Sequence, residues 1–248
     1  MEKVYYINHT SYKVGDVLKA WQFAQMLIQR NANIKKITFL VNTSQQFEFL
    51  KEIGIHGLKS ASFNVKNDLG LEVQVRTIKT YHPNYVFAGK EPSEILIAIA
   101  LNQEQLYKYE DMSDIAVCII IPWMLTNFDS FLSIHECIDV DTMQSFPQPE
   151  KVDDKIINAI IWLKATSYPN EGFHHPNDSN RLKQVAKMLR LKKIPMQYDA
   201  IVHTCLQNGI IATSARLIAD YFVGNRAIRL DEPWDKTWMM KVINGQCR

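Results

Sequence analysis

The sequence predicts an α/β protein: a Rossmann-like, mostly parallel sheet with helices on both faces, followed by a mostly α-helical C-terminal domain. Three observations carry this. Short apolar, β-rich runs alternate with amphipathic stretches through the first half of the chain, the order a parallel sheet requires. The run "IAVCIII" (115–121) is almost continuously apolar, as expected of a strand covered on both faces. Beyond "SFPQPEKVDD" (145–154), a linker with two prolines and several charges, strand signals nearly vanish. The expected division is therefore residues 1–148 and 149–248.

Taken in order, "KVYYI" is a first strand, and Asp16 stands where it can cap the following helix. In that helix Val17, Ala20, Trp21, Ala24, Leu27 and Ile28 share one face at helical spacing. "KITFLVN" is a second strand. "TSQQFEFLKEIG" reads as a short helix with Thr43 or Ser44 as N-cap and Gly54 just past its end. Two alternating stretches around Asp68, Leu69 and Gly70 predict a β-hairpin. "NYVFAG" reads as a buried strand. "EPSEILIAIALNQEQLYKY" is ambiguous between strand and buried helix, and Pro92 near N1 with acidic residues in the first turn selects helix. "TNFDSFLSIHE" is a helix and "CIDVD" a final short strand, which makes a sheet of roughly five strands. In the second domain, "KIINAIIWLKA", "SNRLKQVAKMLR", "MQYDAIVHTCLQ" and "SARLIADYFV" read as helices.

Composition narrows the function classes. The formal charge of +2 implies no overall affinity for polyanions. It is unevenly spread: residues 1–177 hold 16 Lys/Arg against 20 Asp/Glu, and residues 178–248 hold 12 against 6. Four scattered cysteines without a C-x-x-C pair fit a reducing compartment. The N-terminus lacks the apolar region of a signal peptide, and the longest apolar run is too short to span a bilayer. A cytoplasmic protein without a membrane partner is the expectation.

In open parallel sheets, ligands bind outside the carboxyl ends of the strands. The loops at those ends supply the expected ligand-binding residues: Asn8, His9, Thr10, Ser11 and Lys13 after the first strand, and Asn42, Thr43 and Ser44 after the second. Gly89, Lys90 and Ser93 follow "NYVFAG", and Thr126 and Asn127 follow "IAVCIII". Each loop leads into a helix, whose first N–H groups attract phosphates and carboxylates. The same residue types also serve as ordinary helix caps. "NHTSYKVGD" matches neither G-x-G-x-x-G nor G-x-x-x-x-G-K-[ST], which disfavours a dinucleotide in its usual pose, and no cofactor is named by any motif.

Other groupings carry less. In "FHHPND", His174, His175 and Asp178 lack a further ligand at metal spacing, so no metal site is expected. Asp129, His135, Glu136 and Cys137 form no nucleophilic or acid–base set that the sequence alone can assemble. The rival class is a DNA contact. "YDAIVHTCLQNGIIATSARLIADYF" has the outline of a helix-turn-helix, in which Thr213, Ser214 and Arg216 would face a groove and Arg190, Lys192 and Lys193 would meet phosphates. Asp220 on the same helix argues against it. Trp234 and Trp238 serve either to pack the tail or to form a subunit contact, so an oligomer or an interaction scaffold is the third reading. The favoured expectation is binding, with or without turnover, of a small polar or phosphorylated ligand such as a nucleotide, at the strand carboxyl ends in a cleft between the domains.

Overall fold

The computed structural model describes residues 3–9, 13–41, 50, 63–78, 92–112, 114–230 and 234–247. These residues group in two compact units, 1–147 and 148–248. No helix among them is long and apolar enough to cross a membrane.

The first unit is a seven-stranded, mostly parallel sheet with helices on both faces. Its strands are β1 (Lys3–Tyr6), β2 (Lys36–Val41), β3 (Phe63–Lys66), β4 (Glu72–Ile78), β5 (Glu94–Ile99), β6 (Ile115–Ile121) and β7 (Ile138–Asp139). Their spatial order is β3-β4-β2-β5-β6-β1-β7. All neighbours pair in parallel except β3, which runs antiparallel to β4 at one edge. That pair is the hairpin read around Asp68–Gly70. Asn67 closes its turn, its side chain accepting from the N–H groups of Leu69 and Leu71 at 3.0 and 2.9 Å, and Gly70 takes the positive φ such a turn needs.

Helix α1 (Val14–Arg30) lies on one face, against β5 and β6, and buries Val17, Ala20, Trp21, Phe23, Ala24 and Ile28 against Ile37, Phe39, Ile95, Ile97 and Ile119. Each large apolar side chain buried this way contributes about 1.5–3 kcal/mol. The opposite face is covered by α2 (Gln103–Tyr107) and α3 (Asp129–Ile134), with Leu106, Phe131 and Leu132 packed on Val4, Leu96, Cys118 and Ile120. The β5–β6 pairing slips by one residue at Ala116, a bulge that puts Ala116 and Val117 on the same face before alternation resumes.

Two features depart from the sequence reading: the sheet has seven strands rather than roughly five, the hairpin joining it through the β4–β2 pairing, and one expected helix opens as a strand. Residues 94–99 form β5 rather than the start of a helix, and helix α2 begins only at Gln103, capped by Asn102. The reason is position. β5 is central, both its faces are covered, and all six of its residues are buried, so the period-2 signal that marks a strand is absent. "TSQQFEFLKEIG" (apart from Leu50, which is helical) and "NYVFAG" lie outside the described residues.

The second unit is helical throughout its described residues: α4 (Asp154–Thr166), α5 (Pro176–Leu191), α6 (Tyr198–Gln207), α7 (Ala212–Val223) and α8 (Lys236–Ile243). Its buried interior includes Ile160, Leu163, Leu182, Leu189, Ile201, Ile218, Phe222 and Val242. α6 turns into α7 through Asn208 and Gly209, where Gly209 adopts φ +74°.

Candidate functional site

β1 and β6 are neighbours in the sheet, yet the chain leaves them toward opposite faces. After β1 it enters α1; after β6 it enters a 3-10 turn (Leu125–Asn127) and then α3. In an open sheet such a divergence opens a crevice at the strand carboxyl ends, the usual place for a ligand.

His9 joins the two loops. Its Nδ1 lies 2.8 Å from Asp16 Oδ2 on α1 and its Nε2 lies 2.8 Å from the Pro122 carbonyl oxygen after β6. Both partners are acceptors only, so both bonds are donated when the ring carries two protons, and the neutral ring can donate one. Asp16 caps the helix from inside its first turn rather than from the N-cap, accepting the Lys13 N–H at 2.8 Å, and Lys13 itself holds the N-cap position without a side-chain bond. Beside His9, Asn8 Nδ2 donates to Asp139 Oδ2 at 3.2 Å, and Asp139, almost fully buried in β7, also accepts the Asp141 N–H at 2.8 Å. Burial, and after it the nearby Asp139 and Cys137, raise the pKa of the Tyr6 phenol on β1.

Several side chains on these loops are turned to solvent. Lys13 is exposed, as is Thr126, and Trp123 and Met124, directly after Pro122, are exposed large apolar side chains. Asn127 ends the 3-10 turn. Thr10, Ser11, Asn42, Thr43, Ser44, Gly89 and Lys90 lie outside the described residues. Ser93 is displaced from its expected place. Because 94–99 is a strand, Ser93 stands at the amino end of the sheet, where its N–H donates to the Asp114 carbonyl (3.1 Å) and its carbonyl accepts from Lys35 (2.9 Å).

That amino end holds a constellation the sequence reading missed. Glu94, only 2% exposed, accepts from Lys36 Nζ at 3.3 Å, from Arg76 Nη2 at 3.2 Å and from the Thr38 hydroxyl, while Arg76 Nε donates to Thr38 Oγ1 at 2.8 Å. Lys36 and Thr38 alternate along β2 and so share a face with Glu94 and Arg76 on the flanking strands. A buried carboxylate needs such compensation. A second pair, His135 Nε2 and Glu110 Oε1 at 2.7 Å, ties the end of α3 to the turn after α2. Among the described residues no group of three or more His, Cys, Asp or Glu side chains could hold a metal ion.

Of the residues expected to meet DNA, Ser214 is buried and its hydroxyl donates to the Pro169 carbonyl, so it faces the interior rather than a groove. Arg190 is used at the end of α7, donating to the carbonyls of Tyr221, Phe222 (3.3 Å) and Arg226 (2.9 Å), and burial lowers its pKa. Arg216 hydrogen-bonds Tyr198 on α6. Lys192, Lys193 and Thr213 are exposed. Asp178 is nearly fully buried, accepting the Tyr168 N–H (3.1 Å) and Arg181 Nη1 (3.1 Å).

Compared with family models, curated proteins and solved structures, the chain matches none.

Proposed function

We propose that this protein binds a small polar ligand with a flat ring and an anionic group, of the nucleotide class, at the crevice between the carboxyl ends of β1 and β6. The observation that carries the reading is the divergence of two adjacent parallel strands toward opposite faces, with His9 joining the two loops. In this reading Asn8, His9, Asp16 and Asp139 are the frame that holds the loops in place. The ligand meets the groups presented to solvent: Trp123 as a stacking face, and Lys13 as a counter-charge at the start of α1. The Asp16 carboxylate in that first turn weakens the attraction for a fully ionised phosphate, which favours ligands of modest negative charge.

The test is thermal unfolding of the whole chain against nucleotides, sugar phosphates and short duplex DNA. A specific ligand at about 100 times its Kd stabilises by roughly 2.7 kcal/mol. Lys13→Ala is expected to leave the free protein's unfolding unchanged within about 0.5 kcal/mol, as exposed positions do, and both Lys13→Ala and Trp123→Ala are expected to shrink the ligand-induced shift. A silent panel, or a shift that both variants leave intact, refutes the site. Stabilisation by duplex DNA alone, falling with salt, moves the function to the helical unit.

A further inference from the structure

We propose that His9 is a proton-operated tie: with two ring protons it holds the β1 and β6 loops together, and with one it lets go of the β6 loop. As a control of ligand binding, the tie rests on the site reading given above. As a property of the two loops, it stands on the geometry of His9 itself.

That geometry demands both protons. Nδ1 and Nε2 each stand 2.8 Å from an oxygen, Asp16 Oδ2 on one side and the Pro122 carbonyl on the other. Neither oxygen has a hydrogen to donate while Asp16 is ionised. A ring with one proton satisfies one oxygen and turns a lone pair on the other. Imidazole suits such a device, because its unperturbed charge changes in the physiological range.

The two sides are not equal. The bond to the Asp16 carboxylate is charge-assisted, and such bonds are stronger than bonds to a neutral carbonyl. Asp16 is also fixed in the first turn of α1 by the Lys13 N–H at 2.8 Å. A singly protonated ring therefore keeps its proton on Nδ1, and its bare Nε2 meets the Pro122 oxygen acceptor to acceptor. Only 8% of the His9 side chain is exposed, so water enters that gap only if the loop moves. The segment released begins with Trp123 and Met124, both exposed.

The other titratable groups on the joined elements are in solvent, buried or in bonds of their own. Lys13 is exposed, Lys19 pairs with Asp141 at 2.8 Å, and Asp139 accepts from Asn8 and from the Asp141 N–H. Tyr6 on β1 is buried. Residues 122–127 carry no titratable side chain, and Asp129 opens α3. What His9 bonds on the β6 side is a backbone oxygen and not a charge. Doubly protonated, the ring holds the Pro122–Trp123 segment in place before a ligand arrives, which lowers the ordering cost of binding. Binding is therefore tighter on the acid side of the His9 titration.

The experiment is a pH titration of the whole chain, followed by NMR of the His9 ring and of the Pro122–Trp123 peptide group. As pH rises, the ring is expected to lose its Nε2 proton and keep Nδ1–H, the tautomer that a free imidazole side chain favours less. The Pro122 carbonyl and Trp123 amide signals are expected to shift with the ring's own midpoint. In His9→Gln, whose amide does not titrate, they are expected to stay still. Calorimetry with a nucleoside monophosphate on both sides of that midpoint is expected to show at least about fivefold tighter binding on the acid side. The pH dependence left in His9→Gln, which reports the phosphate's own ionisation, is subtracted first. A ring that keeps Nε2–H instead, that does not titrate while the protein is folded, or whose titration leaves the Trp123 amide unmoved overturns the tie. Equal affinity on both sides overturns its control of binding. If no nucleotide binds at any pH while the loop signals still follow His9, the tie stands and the site reading fails.

Discussion

The loops at the carboxyl end of the sheet and the turn after α4 in the helical unit are built from the same kinds of residue, and their polar groups are satisfied to different degrees. In the sheet, Asn8 and His9 are committed to Asp139, Asp16 and the Pro122 carbonyl, and buried Glu94 is compensated on several sides. The Ser167 hydroxyl at the end of α4 is buried with nothing to bond, as are the Thr77 hydroxyl on β4 and Asn180 Oδ1 on α5. A polar loop near a strand end is therefore a weak pointer to a ligand, because capping and bridging consume the same atoms that binding would use.

The largest effect should come from removing a compensated group. Glu94→Ala removes one acceptor shared by Lys36, Arg76 and the Thr38 hydroxyl. Loss of a buried partner costs about 3–5 kcal/mol, reduced here to about 2–4 because both cations are roughly one-third exposed and water can answer them. Urea unfolding measures it, and a loss below about 0.5 kcal/mol would show that the network is not compensated as drawn.

Next in size is His9→Leu, which removes the bridge between the β1 and β6 loops; Asp16 keeps the Lys13 N–H, while the Pro122 carbonyl loses its bond to His9. About 1–3 kcal/mol is expected. Amide hydrogen exchange should rise at residues 7–9 and 122–128 and remain unchanged in α5. Exchange that spreads evenly through the sheet would mean that His9 supports the core rather than the crevice.

The smallest effect at neutral pH, and one that reaches both units, lies in the thiols. Burial pushes Cys118 up to about 12 and raises Cys137 and Cys205 as well. The unfolded chain releases these protons from about pH 9.0, its ordinary thiol value, while the folded chain keeps them. The native state then binds more protons than the unfolded one, so stability is full below about pH 9 and falls as pH rises toward about 12. Two of the three thiols lie in the α/β unit, so its transition should shift further with alkali than that of the helical unit. In native protein a thiol reagent should modify Cys247, which is partly exposed, ahead of the three buried cysteines. Equal labelling at neutral pH would contradict the burial.

Much of this architecture is legible residue by residue. The face of α1 is written in the spacing of Val17, Ala20, Trp21, Ala24 and Ile28, and the hairpin in Asp68–Gly70 between two alternating runs. β5 was not legible, for the same reason that it is stable: a strand apolar on both faces loses the alternation that distinguishes it from a buried helix. Its misreading carried Ser93 to the wrong end of the sheet. The site chemistry was legible only as residue types. His9 meets Pro122 113 positions away and Glu94 meets Lys36 58 positions away, and neither pairing leaves a local trace.

The sequence by itself determined the α/β class, the helical C-terminal part and the ends of several elements, because hydrophobic periodicity and capping act between residues a few positions apart. Only the tertiary structure decided the strand order, which adjacent parallel strands send the chain to opposite faces, and which polar side chains are already used. Those outcomes depend on hydrogen bonds and packing between distant segments, whose strength is set by burial, a property no single segment possesses.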